Sequence, residues 1–262
     1  MNGFYNNTLD DFLAAGDVAG ATAELDWAQR QLIGTDWNHH ALYCATSLLS
    51  KTLTPGVVRS AYQRRLRLGL AYSTTKEVDA LLTYNSKQTD PACRLTFGVT
   101  EYEPYQTGQS YDYMTALLEA NAPRLRAAGL QSRIYCGWMK NDYWTTLVAH
   151  ADDLLVHCYL SSANMAKGTA IWSYLCADSG GYNRLPRIAA AAKAAGKIQR
   201  VTLLFSCEPT FGYAYYQGAP WTAPRDLFLQ QWASKATAEM KQWLVVGDVT
   251  TFVSKYARQC KP

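Results

Sequence analysis

The stretch that decides the fold reads Arg94-Leu-Thr-Phe-Gly-Val-Thr-Glu-Tyr-Glu-Pro-Tyr105. Its apolar centre is typical of a strand that is buried on both faces of a parallel sheet. Glu101 and Glu103 end the run, and because side chains alternate along a strand, we expect both carboxylates on one face. Pro104 has no backbone N–H to donate, so pairing should stop there. The sequence therefore predicts a strand over residues 95–103 that carries acids at its end.

The same plan recurs in Arg200-Val-Thr-Leu-Leu-Phe-Ser-Cys-Glu-Pro209, an apolar run that also ends in Glu-Pro. Helical patterns separate these runs from others of the same kind. The predicted strands cover residues 3–7, 38–45, 68–72, 95–103, 132–138, 153–160, 201–207 and 244–253. Alternating strands and helices favour a parallel sheet with right-handed crossovers.

The number of predicted strands favours a closed architecture. A (β/α)8 TIM barrel typically needs about 250 residues, and this chain has 262. We therefore predict a single α/β domain over residues 1–262, folded as a (β/α)8 barrel. An open doubly wound parallel sheet is the alternative.

Composition narrows the classes of partner. Hydrophobic residues make up 48% of the chain and the net charge is only +4, scattered along it. The hydrophobic content excludes a disordered chain. The scattered charge forms no basic patch for nucleic acid. No apolar run is long enough to span a membrane. The 18 Tyr and 8 Trp residues suit a carbohydrate ligand, because their flat apolar faces and polar tips match sugar rings.

The seven cysteines show no C-x-x-C spacing, which argues against a zinc or redox site. Cys136 and Cys158, with Cys44 and Cys207, lie in apolar runs and are expected to be small buried residues. No nucleotide-phosphate, serine-hydrolase or zinc-protease motif is present, so no cofactor or metal is expected. We expect a secreted or periplasmic protein whose signal peptide is not in this chain, with the cytoplasm as the alternative. The sequence does not indicate an oligomeric state.

In parallel barrels, the catalytic side chains come from the carboxyl ends of the strands and the loops that follow. Here those ends carry acids, aromatic rings and one histidine, which suit proton transfer at a glycosidic bond. The candidate catalytic residues are Glu103, Glu208 and Glu101. The candidate substrate-binding residues are His157, Tyr159, Trp138, Tyr43, Tyr72, Tyr105 and Asn141.

Glu103 and Glu208, at the ends of the fourth and seventh strands, resemble the glutamate pair of retaining glycoside hydrolases with a (β/α)8 barrel. The resemblance implies that Glu103 or Glu101 is the acid/base and that Glu208 is the nucleophile. A separation of about 5–5.5 Å between the two carboxyl groups would imply retention, and about 6.5–9.5 Å inversion. That group has Asn directly before its acid/base, whereas Tyr102 precedes Glu103 here.

The run Val99-Thr-Glu-Tyr-Glu103 is also similar to the fourth strand of chitinase-like barrels, which ends in alternating acids. In that resemblance Glu103 is the proton donor, Glu101 is its acidic partner and Tyr159 orients the substrate. Two other hypotheses stay open at this point. One is a barrel that binds carbohydrate without cleaving it, and the other is a cytoplasmic barrel enzyme that acts on a small metabolite.

Overall fold

The computed structural model describes residues 2–31, 38–42, 48–49, 51, 54–106, 108–140, 142–161, 164, 170–177, 183–206 and 223–253. Strands and helices alternate along these ranges. The strands are β1 (Asn2–Asn6), β2 (Asn38–Leu42), β3 (Leu66–Tyr72), β4 (Phe97–Thr100), β5 (Gln131–Cys136), β6 (Asp153–His157), β7 (Gln199–Ser206) and β8 (Leu244–Val253).

The helices of the described ranges lie between and after these strands. They are α1 (Asn7–Ala15), α2 (Val18–Gln31), α3 (Thr54–Gln63), α4 (Thr75–Ser86), α5 (Tyr111–Ala127), α6 (Trp144–His150), α7 (Ala170–Cys176), α8 (Arg184–Ala194), α9 (Ala223–Lys235) and α10 (Ala238–Trp243). No helix in the described part of the chain is both long and apolar enough to cross a lipid bilayer.

The chain divides into two compact units, and the first comprises residues 1–102 and 109–133. Its strands β1, β2, β3 and β4 pair in that order, and every pair is parallel. Gly69 of β3 lies opposite Phe97 of β4 in the register. A Cβ atom at Gly69 would overlap the Phe97 ring, which is itself buried. The absence of a side chain on β3 thus makes room for a large ring on β4.

The second unit comprises residues 103–108 and 134–262. Its strands β6, β7 and β8 are also paired in parallel, with an irregularity between Val201 and Thr202 on β7. The Thr202 hydroxyl lies 3.0 and 2.9 Å from the two carboxylate oxygens of Asp153. This contact satisfies a buried acid at the start of β6, so Asp153 has a structural partner there.

Parallel strands alternate with helices in both units, so the predicted α/β class is confirmed. The predicted end of the fourth strand is wrong. β4 ends at Thr100, and the Glu101 N–H still donates to the Tyr72 carbonyl at 2.8 Å. The chain then turns, with the Gln106 N–H bonded to the Glu103 carbonyl at 2.9 Å. Glu101 and Glu103 therefore follow the strand, and the alternation rule does not apply to them.

Other element boundaries also differ from the sequence prediction. Trp138 lies after β5 and Tyr159 after β6, because each strand is shorter than its apolar run. Helix α1 was not predicted. The helical pattern that runs to Trp243 is interrupted and forms two helices, because Thr237 adopts an extended conformation and its hydroxyl accepts from the Met240 N–H to start α10.

Helix α4 begins with a reciprocal cap formed by Thr74 and Glu77. The Thr74 hydroxyl accepts a hydrogen bond from the Glu77 N–H at 3.4 Å, and the Glu77 carboxylate accepts one from the Thr74 N–H at 2.8 Å. This reciprocal pair is a capping box, which satisfies N–H groups that have no partner inside the helix.

We expect Thr74→Ala to lower the free energy of unfolding by about 1 kcal/mol, which is typical for the loss of a cap. Urea unfolding followed by circular dichroism measures this change. Thr83→Ala is the matched control, because Thr83 is exposed on the same helix and alanine favours helix formation. Equal destabilisation by both substitutions would contradict the role given to the cap.

Candidate functional site

Glu103 is half-buried and lies in the loop after β4, within the second unit. The Tyr105 hydroxyl donates to Glu103 Oε1, and the Gln106 side-chain amide donates to Oε2. Both donors follow within three residues, so the loop itself holds the carboxylate.

Tyr105 is fixed in place by a close approach of backbone. A Cβ atom at Gly137 would overlap the Tyr105 hydroxyl and its ring carbons. Burial raises the pKa of the Tyr105 hydroxyl far above its ordinary value, and the hydrogen bond to Glu103 and its charge add to the effect. The phenol therefore stays protonated and acts as a donor to the carboxylate.

The site contains other tyrosines besides Tyr105. Tyr135 on β5 lies close enough to Tyr105 and Tyr159 for a charge on either phenol to affect its pKa. Burial raises the pKa of Tyr135 strongly, and the negative charges that Tyr159, Tyr105 and Glu103 can carry raise it further. The Tyr105 and Tyr135 phenols therefore stay protonated near Glu103.

His157, the last residue of β6, contacts Tyr135 and Tyr174. Its Nδ1 lies 3.4 Å from the Tyr135 hydroxyl and its Nε2 lies 3.2 Å from the Tyr174 hydroxyl. Burial, and then the charge of Arg184, lower the pKa of His157 to about 3. The ring is therefore neutral near pH 7, so one nitrogen donates and the other accepts.

Aromatic rings and a cation surround His157. The Trp138 ring centroid lies 5.8 Å from that of His157 and 5.6 Å from that of Tyr174. The Arg184 guanidinium lies over both the Trp138 and Tyr174 rings, at 4.7 and 4.5 Å from their centroids. Trp138 is 42% exposed, so this cluster reaches solvent through an aromatic side chain that is suited to a sugar face.

The structure brings together five of the predicted site residues. They are Glu103, Tyr105, Trp138, His157 and Tyr159. Tyr72 belongs to the first unit, where it is buried and accepts a hydrogen bond from the Thr100 hydroxyl at 2.6 Å. Burial raises its pKa to about 12. Glu101 also belongs to the first unit and is half-buried.

Glu208, Tyr43 and Asn141 lie outside the described residues, so their roles stay predictions, as do the catalytic roles of Glu103 and Glu101. Four members of the cluster were missed from the sequence: Gln106, Tyr135, Tyr174 and Arg184. Of these, Gln106 had a readable signal, because it lies three residues after Glu103 in a loop. No group of three metal-ligating side chains occurs among the described residues.

The Gly137 contact gives a test of the loop around Glu103. Gly137→Ala should push the Tyr105 hydroxyl away from Glu103, because the added methyl group occupies its place. We expect a loss of ligand affinity or turnover similar to that of Tyr105→Phe, which removes the same hydrogen bond. Calorimetry on both variants measures the change. Gly56→Ala is the control, since its Cβ meets nothing within 4 Å; a normal Gly137→Ala protein would contradict this account.

No family model matches the chain, and no curated protein matches it. Among solved structures it is similar to Ostrinia furnacalis Group IV chitinase in complex with allosamidin, at 10% identity and a TM-score of 0.35, over 64% of this chain and 57% of that one. It is similar to Flavobacterium johnsoniae chitobiase at 11% identity and a TM-score of 0.47, over 96% of this chain and 44% of that one.

Triosephosphate isomerase from Bartonella henselae is similar at 9% identity and a TM-score of 0.41, over 98% of this chain and 92% of that one. The chain thus spans about half the length of the two sugar-processing proteins. Because every one of these TM-scores is below 0.5, the likenesses carry no argument about activity.

Proposed function

We propose that the chain is a (β/α)8-barrel glycoside hydrolase in which Glu103 supplies the acid/base. The sequential parallel order of β1 to β4 and of β6 to β8 supports the barrel. The observation that carries the activity is the placement of Glu103. It is a half-buried carboxylate just beyond a strand end, linked through Tyr105 to a cluster of aromatic rings.

The chemistry follows from what each group is able to do. An acid protonates the leaving oxygen of a glycosidic bond, and a second carboxylate attacks the anomeric carbon or activates water. Glu103 is proposed for the first role and Glu208 for the second. Tyr105 and Gln106 orient the Glu103 carboxylate, and a bound sugar would replace one of these donors at the oxygen that carries the proton.

Tyr135 and His157 have a supporting role in this proposal. Tyr135 and His157 are neutral near pH 7 and hydrogen-bonded to each other. They therefore set the orientation of Tyr105 and Tyr159 without adding charge near the developing oxocarbenium ion. Trp138 provides an exposed ring for stacking.

A second function is favoured by a specific observation. Both Glu103 oxygens accept hydrogen bonds from the same loop, which is what a structural carboxylate does. The matching proposal is a barrel that binds carbohydrate without cleaving it.

Product release and binding, measured side by side, separate the two proposals. A panel of 4-nitrophenyl glycosides and polysaccharides is assayed for release, and the corresponding free sugars are titrated by calorimetry. Release that depends on Glu103 supports the hydrolase, whereas binding with no release supports the binding module. The absence of both overturns the carbohydrate assignment.

A further inference from the structure

Arg184, the first residue of α8, is only 2% exposed. Its Nη1 donates to the His157 carbonyl at 2.6 Å, while its buried Nη2 has no hydrogen-bond partner. An arginine side chain stays charged at all physiological pH values. A buried charge is stable only where partners compensate for the lost water. One edge of this guanidinium is therefore left for a group that the described chain does not supply.

Two described side chains whose pKa values Arg184 affects, His157 and Cys158, are neutral near pH 7. His157 is uncharged because its pKa is lowered to about 3, by burial and then by the charge of Arg184. Burial raises the pKa of the Cys158 thiol to about 12, so no thiolate forms there near pH 7. Among the described residues, the ion pairs join other cations to Asp and Glu, and none includes Arg184. The Arg184 guanidinium contacts mainly the faces of aromatic rings.

Those rings explain how the charge is tolerated without a counter-ion. Trp138 and Tyr174 lie 4.7 and 4.5 Å from the guanidinium carbon, within the range of cation–π attraction. Trp138 is also 42% exposed. Arg184 thus lies directly against a partly exposed side chain.

We propose that Arg184 Nη2 receives the carboxylate of an acidic sugar, a hexuronate, when Trp138 moves aside. A guanidinium edge pairs strongly with a carboxylate, and Trp138 and Tyr159 offer ring surfaces to the sugar. That the ligand is a sugar rests on the proposed function. That the ligand is an anion rests on Arg184 alone.

The test compares charged and neutral forms of the same sugars on the full chain. D-glucuronate and D-galacturonate are titrated by calorimetry beside D-glucose and D-galactose, with acetate and phosphate as sugar-free anions. We expect each uronate to bind at least tenfold more tightly than its neutral counterpart and than either simple anion. Equal affinity for uronates and neutral sugars overturns the anion site. Equal affinity for phosphate, acetate and uronates overturns the sugar assignment.

Variants then locate the effect. Arg184→Met is expected to lose at least tenfold in uronate affinity with no change for the neutral sugars. Arg187→Met is the matched control, because Arg187 lies one turn later on α8 and is half-buried. Uronate should also change the tryptophan fluorescence of the wild type and not that of Trp138→Phe. If Arg184→Met does not fold, the preference of the wild type for uronates still decides the proposal.

Failure of this inference differs from failure of the proposed function. If neutral aryl glycosides are hydrolysed as fast as aryl uronides, the proposal of an acidic substrate is refuted and the proposal of a hydrolase is kept. If uronates bind tightly through Arg184 but no glycoside is cleaved, the proposal of a hydrolase is refuted and the proposal of an anion site is kept.

Discussion

Glu103→Gln is expected to lower the turnover of the best glycoside substrate by about 10²–10⁴-fold, which is the usual contribution of general acid–base catalysis. Glutamine keeps the size of the side chain and retains an oxygen that accepts from Tyr105. It has no proton to give to the leaving oxygen. Steady-state kinetics with a 4-nitrophenyl glycoside and one with a poorer leaving group measure the loss. The larger loss should fall on the poorer leaving group, because it needs the proton more.

The matched control is Glu119→Gln, because Glu119 is exposed on α5. It should leave turnover unchanged. Calorimetry should show that Glu103→Gln still binds the ligand, so the lost activity is chemical and not a folding defect. Wild-type kcat in this variant would refute the role of Glu103 as the acid.

Phe97→Ala is expected to have the largest effect on stability, a loss of about 3–5 kcal/mol in the free energy of unfolding. The ring is 2% exposed and fills the space beside Gly69. The buried Arg133 guanidinium lies 4.5 Å from the ring centroid and would lose its aromatic partner. Because the total stability of a domain is about 5–15 kcal/mol, this variant should unfold at much lower urea concentrations.

Val18→Ala provides the comparison, since Val18 is an exposed apolar residue in the same unit and should change stability by no more than about 0.5 kcal/mol. Phe97→Leu should fall between the two, because it keeps most of the volume. A loss for Phe97→Ala no larger than that of the control would mean that β3 and β4 do not pack through this ring.

The strands were readable from the sequence for a physical reason. A strand buried on both faces, such as β7, needs a continuous apolar run, and that run stands out against helical periodicity. The ends of strands are decided by hydrogen bonding and not by polarity, so the apolar and acidic residues after Thr100 gave no sign that β4 stops there. Thr237 is similar: one polar residue in a long helical pattern does not reveal the break between α9 and α10.

The site was only partly predictable. Glu103 and His157 were predicted because polar side chains at strand ends are conspicuous. Tyr135 was missed because a tyrosine inside an apolar run looks like core, and its hydrogen bond to His157 depends on another part of the chain. Arg184 was missed for the opposite reason. Arginine is rarely buried, so nothing in the sequence singled out Arg184 as a residue of the site.

The buried, unpaired cysteines of the second unit have a practical consequence for following its motions. Cys136 and Cys158 are inaccessible, and burial raises their thiol pKa values. Because iodoacetamide reacts with thiolates, it should label these two positions only after the segment around them opens. The rate at which carbamidomethylated peptides accumulate in native protein would therefore report how often this region exposes its interior, without any engineered residue.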